Sequence, residues 1–201
     1  MKKNTIITLA IIFILAIVGI VILNQIRTPK LAIEELERIN YQDTFSQETD
    51  DYLVYFWQNS CVYCEEVEPE VIDFIQNKET ALLLVDMQDA NNQSSWYDWE
   101  SHHEEYDIKI GEVKENGEEQ LSEDVLLEDY TEDTDILWEI KVNEDDEIII
   151  THNTPYASTE PATADDIEIT GTPTMIQVKN GEFVAYANGL EEVRALLEAN
   201  K

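Results

Sequence analysis

The sequence predicts an α/β protein, and three observations carry that expectation. Tyr52-Leu53-Val54-Tyr55-Phe56-Trp57 and Ala81-Leu82-Leu83-Leu84-Val85-Asp86 are continuous apolar runs of strand length, as expected of strands buried on both faces. Between them lies a stretch whose Val67, Val71, Phe74 and Ile75 share one helical face. Near the end, Thr174–Val178 and Glu182–Ala187 flank Lys179-Asn180-Gly181, and Asn-Gly is the strongest two-residue hairpin signal. A helix from Leu190 to Ala199 closes the chain.

Along the chain, the first element is an apolar run of 18 residues, Ile6 to Leu23, broken only by Thr8 and Gly19. At about 1.5 Å per residue it reaches roughly 27 Å, the hydrocarbon thickness of a bilayer. Val21 to Gln25 offer no small-residue cleavage site, so residues 1–30 read as an uncleaved signal anchor. Lys2 and Lys3 on one side nearly balance Arg27 and Lys30 on the other. The expected placement, a single-pass protein of the cell membrane with its C-terminal domain on the extracytoplasmic side, therefore rests on the habit of N-terminal anchors and on the cysteine chemistry below. Leu31, Ile33, Leu36 and Ile39 then recur at near-helical spacing, which suits a short amphipathic stalk or first helix.

The chain of 201 residues suits one core with an embellishment and a terminal appendage. Its 44 acidic residues against 12 Lys plus Arg, a formal charge of −32, exclude a nucleic-acid binder, which needs clustered cations for phosphate. Apolar residues at 43% argue against wholesale disorder. Residues 96–166 differ in kind, with 24 acidic residues against three Lys, a possible hairpin from Ile136 to Ile150, and Trp96, Tyr97 and Trp99 close to His102 and His103. They read as an acidic insertion, since the last segment returns to the first core. The expected organisation is thus 1–30 anchor, 31–95 first half of the domain, 96–166 insertion and 167–201 second half. The aromatics read as packing, the two adjacent histidines as surface residues of a helix, and His152 as lacking a partner cluster.

The two cysteines, Cys61 and Cys64, are too few for a disulfide scaffold and lie three positions apart. A cysteine just before the first turn of a helix meets unpaired amides and the positive end of the dipole, which favour the thiolate. Cys61 is therefore the expected nucleophile, and Cys64, one turn on, the resolving thiol of a reversible two-electron pair. Ser60 is the expected helix cap, and Pro69 should kink the helix. Zinc knuckles and structural disulfides share this spacing. A closed zinc site needs four ligands, and only His102 and His103 could complete one, on positions about 100° apart around a helix. No metal and no cofactor are expected.

With Tyr55-Phe56-Trp57 leading into Cys61-Val62-Tyr63-Cys64, Pro69 five residues on, and later Gly171-Thr172-Pro173-Thr174 followed by Lys179-Asn180-Gly181-Glu182 and Gly189, the sequence resembles the thioredoxin superfamily over roughly residues 40–95 and 167–201. The resemblance implies a thioredoxin-like fold, a central mixed sheet flanked by helices with the acidic insertion before the cis-proline strand, with Cys61 attacking, Cys64 resolving, and Pro173 a cis proline against the disulfide. It also implies substrate contacts from Thr172, Val62, Tyr63 and Trp57. Thioredoxin has a buried acid where Tyr55 stands, a Trp where Ser60 stands and Gly-Pro where this chain has Val62-Tyr63. Tyr55 cannot accept a proton near neutral pH, so the resolving step needs another base or water. Trp96-Tyr97-Asp98-Trp99-Glu100 and Ile110-Gly111-Glu112-Val113 are similar to small thioredoxin-like proteins of single-membrane bacteria, some encoded beside bacteriocins and thought to help their disulfides form.

The expected function is thiol–disulfide exchange on protein or peptide substrates, with a redox partner that resets the pair. The direction depends on the pair's potential against its partners. The alternative from another class is a surface binding or adaptor module with a permanently oxidised disulfide. A monomer is expected, since no separate dimerisation segment is visible.

Overall fold

A computed structural model describes residues 32–77, 80–132 and 135–201. The apolar run from Ile6 to Leu23, and with it the proposed membrane anchor, lies outside the described residues; among those described, no helix is long and apolar enough to cross a membrane. Two compact units are distinguished, Met1–Glu35 and Leu36–Lys201. Of the first, the described part contains a single 3-10 turn, Ile33–Glu35.

In the second unit, β1 (Asp51–Trp57), α1 (Val62–Asn77) and β2 (Ala81–Asp86) come first, then α2 (Trp99–Tyr106), β3 (Ile108–Val113), β4 (Glu119–Leu121), α3 (Glu128–Thr131), β5 (Trp138–Val142) and β6 (Glu147–His152). The chain ends with β7 (Thr174–Lys179), β8 (Glu182–Asn188) and α4 (Leu190–Ala199). A mixed sheet has the order β2-β1-β7-β8, with β1 parallel to β2 and antiparallel to β7. The strand runs read from the sequence are thus central strands, and six consecutive residues of β1, Tyr52 to Trp57, are buried. The Asn-Gly hairpin is formed as expected, Asn180 and Gly181 both taking positive φ (53° and 77°) between β7 and β8.

The sheet's two faces are covered differently. Tyr52, Val54 and Phe56 of β1 pack with Leu83, Val85, Ile176 and Val178 under Tyr41, Met87, Ile167 and Ile169, all from 3-10 turns and extended segments. Strand alternation sends Leu53, Tyr55 and Trp57 to the other face, where α1 and α4 pack against each other and bury Cys64, Val67, Val71, Phe74, Val193 and Leu197. Helices therefore flank one face, not both. The first helix expected across Leu36 and Ile39 does not form. Glu37 and Ile39 instead pair with Leu84, accepting its N–H (2.8 Å) and donating to its carbonyl (2.9 Å), which covers the outer edge of β2.

Between β2 and β7 the chain builds a second, wholly antiparallel sheet of order β4-β3-β6-β5. The hairpin expected from Ile136 to Ile150 is β5–β6, turning at Asn143–Asp146 with Asp146 at φ 58°. Ile110, Ile148 and Ile150 form its small core, joined by Val113, Val125, Leu127, Tyr130 and Trp138. A bulge between Lys109 and Gly111 brings Gly111 against the Gln120 carbonyl, where a Cβ would collide.

Candidate active site

Register explains how two distant stretches meet. Phe56 at the end of β1 pairs with Thr174 at the start of β7, so the residues after β1 and those before β7 emerge side by side at one end of the sheet. The first lead into Cys61 and Cys64 at the start of α1; the second are Gly171, Thr172 and Pro173. The Thr172–Pro173 peptide is cis, and Pro173 is buried with its carbonyl accepting the Gly189 N–H (2.8 Å).

Cys61 and Cys64 are joined in a disulfide, their Cα atoms 5.1 Å apart. Cys61 retains 7% exposure and Cys64 none, so an external thiol or disulfide can reach only the first sulfur. Cys61 Sγ accepts the Cys64 backbone N–H at 3.1 Å and lies 3.2 Å from the Thr172 carbonyl oxygen. An amide of the helix's first turn therefore points at the Cys61 sulfur, the arrangement that stabilises a thiolate there. That sulfur takes the capping position expected of Ser60. Ser60 sits at φ 72° in the turn before the helix, its N–H bonded to Asn59 Oδ1 (3.1 Å). α1 runs on through Pro69 to Asn77.

Val62 and Tyr63 stand exposed at 71% and 58% beside the disulfide, and Tyr63 lines a shallow hollow with Asn188, Gly189, Leu190, Glu191 and Glu192. Trp57, its carbonyl accepting the Met87 N–H (2.8 Å), is buried and offers little surface to a partner. Under the pair, Tyr55 is fully buried, and its hydroxyl has no hydrogen-bond partner. Burial, reinforced by the Glu68 carboxylate, pushes Tyr55 far above the ordinary tyrosine range. Among the described residues, no group of three or more His, Cys, Asp or Glu side chains is placed to hold a metal ion.

No family model matches the chain, and no curated protein matches it. Solved structures similar to it include a yeast mitochondrial 1-Cys peroxiredoxin (9% identity over 85% of this chain and 97% of that one, TM-score 0.42). Mitochondrial thioredoxin 3 from Saccharomyces cerevisiae, in oxidized form, matches at 10% identity over 83% of this chain and 94% of that one (TM-score 0.41). A mutant thioredoxin from Halobacterium salinarum NRC-1 matches at 15% identity over 86% and 93% (TM-score 0.40).

The histidines overturn the expectation made of them. His102 and His152 are buried, and their rings are hydrogen-bonded, Nε2 of His102 lying 2.8 Å from Nδ1 of His152 and 3.1 Å from its backbone carbonyl. A carbonyl can only accept, so His102 Nε2 carries the hydrogen. Its Nδ1 then accepts from the Tyr97 hydroxyl (2.7 Å), and His152 Nε2 donates to the Tyr156 hydroxyl (3.3 Å). His103 alone is near the surface, paired with Asp107 (3.0 Å), whose same oxygen accepts the His152 N–H. Burial, then the neighbouring His102, holds His152 below the ordinary histidine range. This chain of rings touches the site through Trp99, whose indole N–H donates to the Thr170 carbonyl (3.0 Å) while its ring meets Tyr97, His102 and His103. Sequence reasoning missed it because His102 and His152 are 50 positions apart. The clustering of Trp96, Tyr97, Trp99, His102 and His103 was the one local signal.

Proposed function

We propose that this chain is a thioredoxin-like thiol–disulfide oxidoreductase acting on protein or peptide substrates. The observation that carries the reading is the placement of Cys61: the accessible sulfur of a disulfide at a helix start, facing the first-turn amide of Cys64 and the carbonyl before a cis proline. In the reduced state the Cys61 thiolate attacks a substrate disulfide, forming a mixed disulfide and releasing one substrate thiolate. Cys64 then attacks Cys61 Sγ, closing the internal disulfide and releasing the second. Oxidation of a substrate dithiol runs the same steps in reverse, and the direction follows the pair's potential.

The exposed Val62 and Tyr63 and the Thr172 backbone border the approach, where an extended substrate segment can lie alongside the loop. The reading extends to an N-terminal membrane anchor with the catalytic unit extracytoplasmic, to residues 96–166 as an insertion, to a monomer, and to a separate partner that resets the pair. Peptides of the bacteriocin type are the substrates that the sequence resemblance suggests. The test is an insulin or scrambled-substrate exchange assay with the wild type and Cys61→Ala. The reading expects the variant to fall to the uncatalysed rate, and equal rates in both would overturn it.

A further inference from the structure

Cys64 is fully buried, and burial in apolar surroundings favours the thiol over the thiolate. Yet the resolving step requires it to lose its proton. Tyr55, on the strand beneath, is held protonated by its own burial, so the acceptor must come from elsewhere.

The carboxylates of α1 are not equivalent. Glu65 and Glu66 are exposed. Glu66 and Glu70 lie 3.5 Å and 3.0 Å from the Arg194 guanidinium. Glu68 is half-buried and has no cation partner among the described residues. It stands four positions after Cys64, so the two side chains are neighbours on one helix face, with Cβ atoms about 5–6 Å apart. That face is the one turned to the sheet: Cys64, Val67 and Val71 bracket Glu68 and are all fully buried. Glu68 is also close enough to Tyr55 for its charge to act on the phenol, whose buried hydroxyl has no hydrogen-bond partner. The carboxylate thus stands on the α1 face that carries the resolving sulfur, and its charge reaches the unpartnered hydroxyl of Tyr55.

We propose that Glu68 is the proton acceptor of the resolving thiol Cys64. The inference rests on the redox reading above. In the mixed disulfide, the Cys64 S–H proton passes to the Glu68 carboxylate, directly or through one water. The Cys64 thiolate attacks Cys61 Sγ, the Cys61–Cys64 bond forms, the bond from Cys61 to the substrate sulfur breaks, and the substrate thiolate leaves with the electron pair. The substrate disulfide has then gained two electrons and the cysteine pair has lost them. In the reverse direction, protonated Glu68 returns the proton to Cys64 as it leaves.

The test mixes the reduced full chain with one equivalent of dithiobis-nitrobenzoate and follows release of the coloured thiolate by stopped flow. A first phase reports attack by Cys61, and a second reports resolution by Cys64. The leaving thiolate needs no proton, so the second phase isolates deprotonation of Cys64. Glu68→Gln is expected to lower the ratio of the second to the first rate constant by about 10²-fold near neutral pH, the low end of what a positioned acid–base group contributes. In that variant the second phase should rise about tenfold per pH unit, and Glu68→Asp should restore part of the loss. A merely repulsive carboxylate has the opposite sign, because its removal eases thiolate formation. An unchanged or faster second phase in Glu68→Gln therefore overturns the proposal. A wild type with no first phase overturns the redox reading itself, and this inference with it.

Discussion

Replacing His152 with Phe probes the buried imidazole pair, and its consequence changes with pH. The substitution keeps an aromatic ring against Trp138, whose centroid lies 4.7 Å away, but deletes both ring nitrogens. His102 Nε2–H loses the 2.8 Å bond to Nδ1 and keeps the backbone carbonyl at 3.1 Å. Tyr156, 60% exposed, exchanges its 3.3 Å contact for water. The net loss is one buried hydrogen bond, about 0.5–1.5 kcal/mol at pH 8. The folded-state pKa of His152 is depressed, by burial first and then by His102, with Asp107 opposing and His103 adding to the depression. Tyr97, Tyr106 and Tyr156 also face the two rings. The unfolded chain binds a proton at His152 near pH 6.5 while the folded one resists it. Stability from this residue is thus fully present above about pH 6.5 and declines as pH falls toward the lower folded value, by at most about 1.4 kcal/mol per unit. Urea unfolding of wild type and variant from about pH 8 to about pH 5 reads the difference, in which the many carboxylates cancel. A gap of about 1 kcal/mol at the alkaline end that narrows below about pH 6.5 is expected. A gap that stays constant or widens on acidification would show that the fold does not disfavour protonation of His152.

Gly111→Ala drives a Cβ into the Gln120 carbonyl across the β3 bulge, and is expected to destabilise by about 1–3 kcal/mol. Hydrogen exchange should show amide protection lost first in 108–152 while β1 stays protected, and equal loss in both sheets would refute that localisation. Salt should raise the melting temperature, since the charge of −32 is self-repulsive and the Debye length shortens from about 10 Å at 0.1 M to about 3 Å at 1 M. A fall in melting temperature, followed by circular dichroism, would mean that the few ion pairs such as Arg38–Asp86 outweigh that repulsion.

The elements legible in the sequence were those whose burial is written locally. β1 and β2 are continuous apolar runs because both sheet faces are covered, and the β7–β8 hairpin announces itself through Asn180-Gly181. The cysteine pair and the Thr172–Pro173 motif were likewise short, contiguous signals. What was not legible depends on pairing between distant segments. Leu36 and Ile39 have helical spacing, but Glu37 and Ile39 find a better use for their backbone groups on the open edge of β2. His152 reads as isolated until β6 carries it back to α2, and burial then assigns both rings a role that exposure would have denied. Ser60 looks like a cap by composition, but its positive φ places it in the turn and leaves the first-turn amide to the Cys61 sulfur.

Ile169 has a quiet part in all this. Its N–H donates to the Ser95 carbonyl (2.7 Å) and its carbonyl accepts from Tyr97 (3.0 Å), so the polypeptide leaves the main sheet and comes back at a single rung. From the core's side, the whole second sheet is a ring closed at that rung, with the Trp99 indole N–H on the Thr170 carbonyl beside it. The entropy of closing such a ring grows only with the logarithm of its length, by about 0.6 kcal/mol for each doubling. The excursion could therefore gain or shed residues over evolutionary time at little thermodynamic penalty, while the rung holds the segment leading to Pro173 in place.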